Sequence, residues 1–463
     1  MLAECKKNSQ ISFLLYILLY RLTLDFSYSK IVSSLYAYQG FKNNFTIANE
    51  AASLIVLFVF SIIACYFYEN IDNKASNEIL LLLFLMSFVP FTSMVGFGAF
   101  TPGFIISNIL FWLFLILFAT IPIKKIPMEI YNRFMLKFGE QKLLSETQIK
   151  FLTIVFGMVV LFISGVYTGF RFNFSLANVY ALRSEARGYN LPVLLVYIFS
   201  WTRTVNPIFM AYYLHKKYWG WVVFCFIVQL LNFGIDGSKT TLFLALFAIV
   251  VNLAPGFTLQ SLNKWIVKGF LGLSFLTTMF YIGFSDLISF SIWPVSLFVR
   301  RVLYLPVYIG SNYFDFFTSH TPDYFRQSFM RLFDFVSPYG DLSYMIGEIY
   351  FHTVTAANNG LIADAITNMG IAGVVLSPML YAVVFRFLNY VSFGIDPRLY
   401  ITVAMYLAVT LVNTFLFRVL LTHGLLIIMV ILYLINNSVI EKDQRKALIR
   451  FVMKANRGNN EEN

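Results

Sequence analysis

The sequence predicts an all-α polytopic membrane protein, with about twelve transmembrane helices and a long extracytoplasmic segment before the last three. Three observations predict it. Apolar residues make up 59% of the chain and charged residues 12%, about half the charged share of a soluble domain. Mean hydropathy is +0.73. The apolar residues also come in runs of about twenty, long enough to cross the hydrocarbon core, where lipid offers backbone groups no partner and each run must therefore be a helix.

In chain order the runs fall near 11–29, 50–68, 78–98, 104–123, 151–170, 191–213, 219–235, 240–255, 265–288, 366–389, 398–417 and 419–437. The first carries Arg21 and Asp25, and the run at 240–255 is short. Pro90, Pro192, Pro207 and Pro378 fall in or at the ends of runs, where proline marks a kink or a helix start. The run from Ile11 lacks a small-residue cleavage site and ends in charged positions, so no cleavable signal peptide is expected. There is no internal repeat and no hydrophilic stretch long enough for a separate soluble domain. One membrane domain over 1–463 is expected.

Charge sets the expected orientation. Lys124, Lys125, Arg133, Lys137, Lys142 and Lys150 lie in one connection, and Lys442, Arg445, Lys446, Arg450, Lys454 and Arg457 in the tail. With twelve spans both fall on the side of Lys6 and Lys7, which the positive-inside rule makes cytoplasmic. Both termini are then cytoplasmic, and 172–190, the Asp236–Lys239 turn and the segment 289–365 are outside. The net charge of +11 is accounted for by topology, and no nucleic-acid partner is expected.

Charges that this scheme leaves in or beyond the membrane are the candidate functional groups. Arg21 and Asp25 are spaced i, i+4 and can pair on one helix face. In RFNFSLANVYALRSEARGYN, Arg183 and Arg187 share the same spacing, with Arg171 and Tyr180 close by. Guanidinium groups grip phosphate with two parallel hydrogen bonds and keep their charge when desolvated, which suits a diphosphate. Pairing with Glu185 or with lipid headgroups is the plainer alternative. Arg203 falls in mid-span, where an arginine is a functional candidate unless a buried partner such as Asp25 neutralises it. GIDGSKTT at 234–241 opens a helix, whose N-terminus favours an anion, and Lys239 adds a charge. Ser238 breaks the Gly-Lys-Ser/Thr order of a nucleotide-binding loop and is a natural helix cap.

The wet segment from Trp293 to Asp364 carries Arg300, Arg301, Arg326 and Arg331, no lysine, frequent aromatics, and Asp315, Asp323, Asp334, Asp341 and Glu348. FVRRVLYLPVYIGSNYFDFF suits a helix lying in the interface, and its rings suit either a membrane belt or stacking on sugars. Glu348 and His352, spaced i, i+4, are candidates for proton transfer, or a structural pair. His320 and His423 offer less, and no spacing amounts to a metal site. Cys5, Cys65 and Cys225 read as packing thiols.

The sequence resembles the Wzy-type O-antigen, or oligosaccharide repeat-unit, polymerases. The resemblance lies in ILLYRLTLDFSYSKIVSSLYAYQGF, NVYALRSEAR, GSKTTLF, the RR…P…Y pattern of Arg300–Tyr308 and NNGLIADAITNMGIAGVV. It covers nearly the whole chain through the order of motifs that are each short. It implies a bacterial glycosyltransferase at the outer face of the cytoplasmic membrane, using no nucleotide sugar, metal or other cofactor. A glycan on undecaprenyl diphosphate is passed to the non-reducing end of a newly flipped lipid-linked repeat unit. Membrane lipid, and candidates in a flippase and a chain-length regulator of the same pathway, are the implied partners. Arg183, Arg187, Arg300, Arg301 and Lys239 would hold the leaving diphosphate, with Tyr180 and Arg203 as further binding candidates. Glu348 or His352, with Asp364 behind them, would take the acceptor's proton. An O-antigen ligase shares the donor but needs a second acceptor. A flippase would have related halves and short outer loops, and a non-catalytic scaffold is also open.

Overall fold

A computed structural model describes residues 2–71, 73–121, 144–170, 182, 185–186, 188–392 and 395–439. The described chain is helical, with no strand among the described residues. Ten of its helices are long and apolar enough to cross a membrane: α1 Ser9–Leu35, α2 Ile47–Glu69, α3 Ala75–Gly96, α4 Pro102–Thr120, α5 Glu146–Thr168, α6 Val193–Lys216, α7 Trp219–Asp236, α9 Leu259–Phe284, α10 Ile292–Ser319 and α12 Ile362–Ser392. Three apolar helices are shorter: α8 Lys239–Leu253, α13 Pro397–Asn413 and α15 Leu425–Val439. Between them come α11 Leu342–Phe351 and α14 Leu416–Leu421. The protein is an all-α polytopic membrane protein. Nine of the long helices and the three short ones coincide with the twelve expected runs; α10 is the addition, inside the segment expected to lie outside the membrane. The basic residues Lys124–Lys142, expected to be cytoplasmic, and the tail from Lys442 lie outside the described residues.

The chain divides into two compact units. The first comprises Met1–Ile121, Pro255–Arg386 and Ala404–Leu421, and the second Pro122–Ala254, Phe387–Val403 and Thr422–Asn463. In the first unit α3 is central and buried from Ala75 to Met94. A helix apolar on every side is one wrapped by other helices. Contacts fix the direction of each neighbour. Arg21 meets Glu50 while Phe13 meets Tyr68, so α1 and α2 are antiparallel. Tyr20 packs on Phe270 and Ser27 on Thr278, so α1 and α9 are parallel. Phe88 packs on Trp112, and Phe111 on Tyr381 with Arg386 bonded to the carbonyl of Ile121, so α4 and α12 run together against α3.

One end of this unit therefore gathers 36–46, 97–101 and 285–361. The opposite end holds Asn70 and Lys74, near which Asn263 donates to the carbonyl of Tyr68 at 2.9 Å and to Glu78 at 3.0 Å. Along its length α10 touches the first end. Arg300 meets Gln39, Tyr304 meets Leu24, Tyr308 packs on Phe41, and Phe314 on Phe104. Its deepest contacts, Phe298 on Phe270 and the recess beside Ser87, reach the middle of neighbouring helices. So α10 lies across one end of the unit, α9 arrives at that end and α12 leaves from it. By length and composition α10 is itself sufficient to cross a membrane.

In the second unit, Thr153 meets Tyr213 at 2.8 Å and Asn206 donates to the carbonyl of Cys225 at 2.7 Å, giving antiparallel α5, α6 and α7. A Ser145–Gln148 capping box starts α5. Cys65 and Cys225 are buried and unbridged, as packing thiols should be.

Candidate functional site

The site is built on α10. From Ser296 to Tyr304 this helix widens into π turns, a form that mostly occurs as single turns and often at functional sites. Pro306 contributes to the irregularity, since it has no N–H for the carbonyl four residues earlier. The widened stretch carries Arg300 and Arg301. Arg300 is half-buried; its Nε donates to Ser296 Oγ at 3.1 Å and its Nη1 to Gln39 Oε1 at 2.8 Å. The guanidinium carbon lies 4.3 Å from the ring centroid of Tyr36. Stacking on one face and bonding at one edge fix the guanidinium plane while its charge is retained. Arg301 is exposed.

The turn that meets Arg300 is itself constrained. Gly40 has φ +94°, and a Cβ there would run into the hydroxyl of Tyr308, so only glycine allows the approach. Tyr28 donates from its hydroxyl to the carbonyl of Lys42 at 2.7 Å. Asn44 N–H donates to the carbonyl of Phe97 at 2.8 Å, joining the two connections. Between them and α10 lies a recess of about 190 Å³, lined by Lys42, Asn44, Gly98–Thr101, Tyr308, Ser311, Asn312 and Asp315.

Beneath it a polar chain crosses the bundle. Tyr304 donates to the carbonyl of Leu24 at 2.8 Å and lies 2.9 Å from Ser93 Oγ. Ser93 donates to Asp25 at 2.6 Å. Arg21, fully buried, donates to Asp25 at 2.7 Å, Glu50 at 2.9 Å and Ser53 at 3.1 Å. The i, i+4 pair of the sequence is thus real but has a second carboxylate, Glu50, and it anchors Tyr304 one turn beyond Arg300.

The proton-transfer candidates sit differently from expectation. Glu348 and His352 are both exposed. They do not share a helix face: α11 ends at Phe351, and His352 turns left-handed at φ 53° as its C-cap. Tyr350 beside them has its phenol pKa raised, first by burial and then by the charge of Asp315. Asp364 is buried, and accepts from Asn368 Nδ2 at 2.7 Å, Leu416 N–H at 2.8 Å and the Tyr381 hydroxyl at 3.1 Å. It braces α12 against the start of α14 and does not face an open space as a base would. Asp323 is also enclosed, accepting from Ser337 Oγ and Gln327 N–H, and burial raises its pKa.

Arg203 and Lys239 belong to the second unit. Arg203 pairs with Asp236 at 2.5 Å and lies over Phe199, so its partner is not Asp25, which Arg21 holds. Lys239 is exposed at the first position of α8. Ser238 makes no side-chain cap there; Asp236 Oδ1 instead accepts the Ser238 N–H at 3.0 Å. Tyr180, Arg183 and Arg187, with Arg171, lie outside the described residues. Sequence reasoning missed Tyr36, Gln39, Lys42 and Glu50. Only the aromatic spacing of SLYAYQGF hinted at them, since isolated polar residues in a connection carry no periodicity. No family model, curated protein or solved structure matches the chain.

Proposed function

We propose that this protein is a glycosyltransferase that polymerises undecaprenyl-diphosphate-linked oligosaccharide repeat units into O-antigen or a related surface polysaccharide. On this reading the end of the first unit that carries α10 faces outward from the bacterial cytoplasmic membrane, with both termini cytoplasmic. The observation that carries the reading is Arg300, a guanidinium fixed by Tyr36 and Gln39 on the same helix that lines a polar recess further along. An acceptor hydroxyl attacks the donor's anomeric carbon, the new C–O bond forms, the bond to the diphosphate breaks with its electron pair, and the hydroxyl proton passes to Glu348 or His352. A preorganised cation at the departing phosphates stabilises the charge as it develops. Arg301 is proposed to act in the same binding, and Arg183, Arg187 and Lys239 are proposed separately as diphosphate-binding groups. The leaving group is already a good one, so diphosphate binding dominates over proton removal by Glu348 or His352.

The test is polymer formation by the protein in phospholipid nanodiscs, given the lipid-linked repeat unit that accumulates when its gene is deleted. A polymerase makes a ladder from that substrate alone, whereas a ligase needs a second acceptor. Arg300→Ala should lower the rate by about 100-fold, and Arg300→Lys should recover only part, because ammonium cannot reproduce the fork. Full ladders from Arg300→Ala, Arg301→Ala, Arg183→Ala and Arg187→Ala would reject the assignment. Full activity in both Glu348→Gln and His352→Ala would remove those two from the chemistry.

A further inference from the structure

Asn312, 3% exposed, lines the recess, and its Nδ2 has no hydrogen-bond partner among the described residues. A buried amide nitrogen left unbonded is costly, and a ligand oxygen is the natural acceptor. Around it stand the amide of Asn44, the hydroxyls of Ser311 and Tyr308, the ammonium of Lys42 and the carboxylate of Asp315. Donor-bearing and acceptor-bearing side chains share these walls with the aromatic residues Tyr308 and Phe100. A pyranose presents the same pattern in reverse, with hydroxyls at its rim and C–H groups on its faces.

We propose that this recess is a saccharide subsite that holds one sugar of the glycan chain and selects it. The inference rests on the polymerase reading and adds to it the group that reads the repeat unit. The subsite is not where the bond is made. Arg300 and Ser311 are eleven residues apart on α10, or roughly 16 Å at helical rise, so a diphosphate at Arg300 puts the recess a few sugar rings along the glycan. Asp315 and Lys42 accordingly bind hydroxyl or acylamino groups of that ring and take no part in proton transfer. Variants here should raise KM and relax the choice of sugar, with kcat kept.

The experiment uses the full chain in nanodiscs and two probes: the lipid-linked repeat unit, and the free oligosaccharide released from it by mild acid. Saturation-transfer NMR on the free oligosaccharide reads binding without turnover. Asn312→Leu and Asp315→Asn should each weaken binding and raise KM by about 10-fold or more, with kcat within a factor of about three. Asn312→Leu removes the unbonded nitrogen, so a merely structural role predicts a gain in thermal stability with binding unchanged. That result, or the absence of oligosaccharide binding by the unaltered protein, overturns the proposal. Failure of the unaltered protein to make polymer instead overturns the polymerase reading, whatever the recess binds.

Discussion

Gly96 packs so closely on Glu50 that a Cβ at Gly96 would overlap Glu50 Oε2 and crowd the Arg21 guanidinium. The bare backbone of α3 is what lets a carboxylate at the start of α2 reach an arginine on α1. That contact ties three helices together just under α10, so its loss should be felt at the candidate site.

Gly96→Ala should destabilise the protein by about 1–3 kcal/mol through overpacking. Arg21→Met should cost more, about 3–5 kcal/mol, because it leaves Asp25 and Glu50 facing each other without their cation. Adding Asp25→Asn and Glu50→Gln to Arg21→Met should recover much of the loss. Thermal unfolding in detergent checks the order. An Arg21→Met variant as stable as the unaltered protein would show that the buried pair contributes nothing.

Asp364 tests whether a buried carboxylate braces or catalyses. Asp364→Ala strands the Leu416 N–H and the Tyr381 hydroxyl, at about 1–3 kcal/mol for each unsatisfied group, while Asn368 keeps its bond to the backbone carbonyl of residue 364. Asp364→Asn keeps an accepting oxygen and should cost less. Turnover per folded molecule of Asp364→Asn should stay within about threefold. A catalytic base would lose on the order of 100-fold, and that outcome would return Asp364 to the reaction.

Asp323 gives a pH signature. Burial raises its pKa above the ordinary 3.8, while the bonds from Ser337 and Gln327 pull it the other way. A raised folded-state pKa contributes stability that is complete below 3.8 and is lost as pH climbs through the higher folded value. Asp323→Asn has nothing to titrate there. Its Tm relative to the unaltered protein should therefore rise over the window that opens as pH climbs above the ordinary 3.8. A difference that stays flat across that window, or falls, contradicts the assignment.

The sequence by itself determined the class of this protein and the place of its spans. An apolar run of sufficient length has to become a helix in lipid whatever lies beside it, so the information is local and survives without a fold. The same rule does not reach α10: Ile292–Ser319 reads as part of the wet outer segment, yet it forms a long apolar helix whose partners Gln39, Leu24, Phe41 and Phe104 lay it across one end of the unit. Only the tertiary structure decided which charges meet. Arg300 and Gln39 are 261 positions apart, Arg203 found Asp236 in place of Asp25, and Asp364 turned inward to Leu416. The cost of a buried charge demands a partner but does not name one, and the choice is made by helix packing, which no spacing along the chain records.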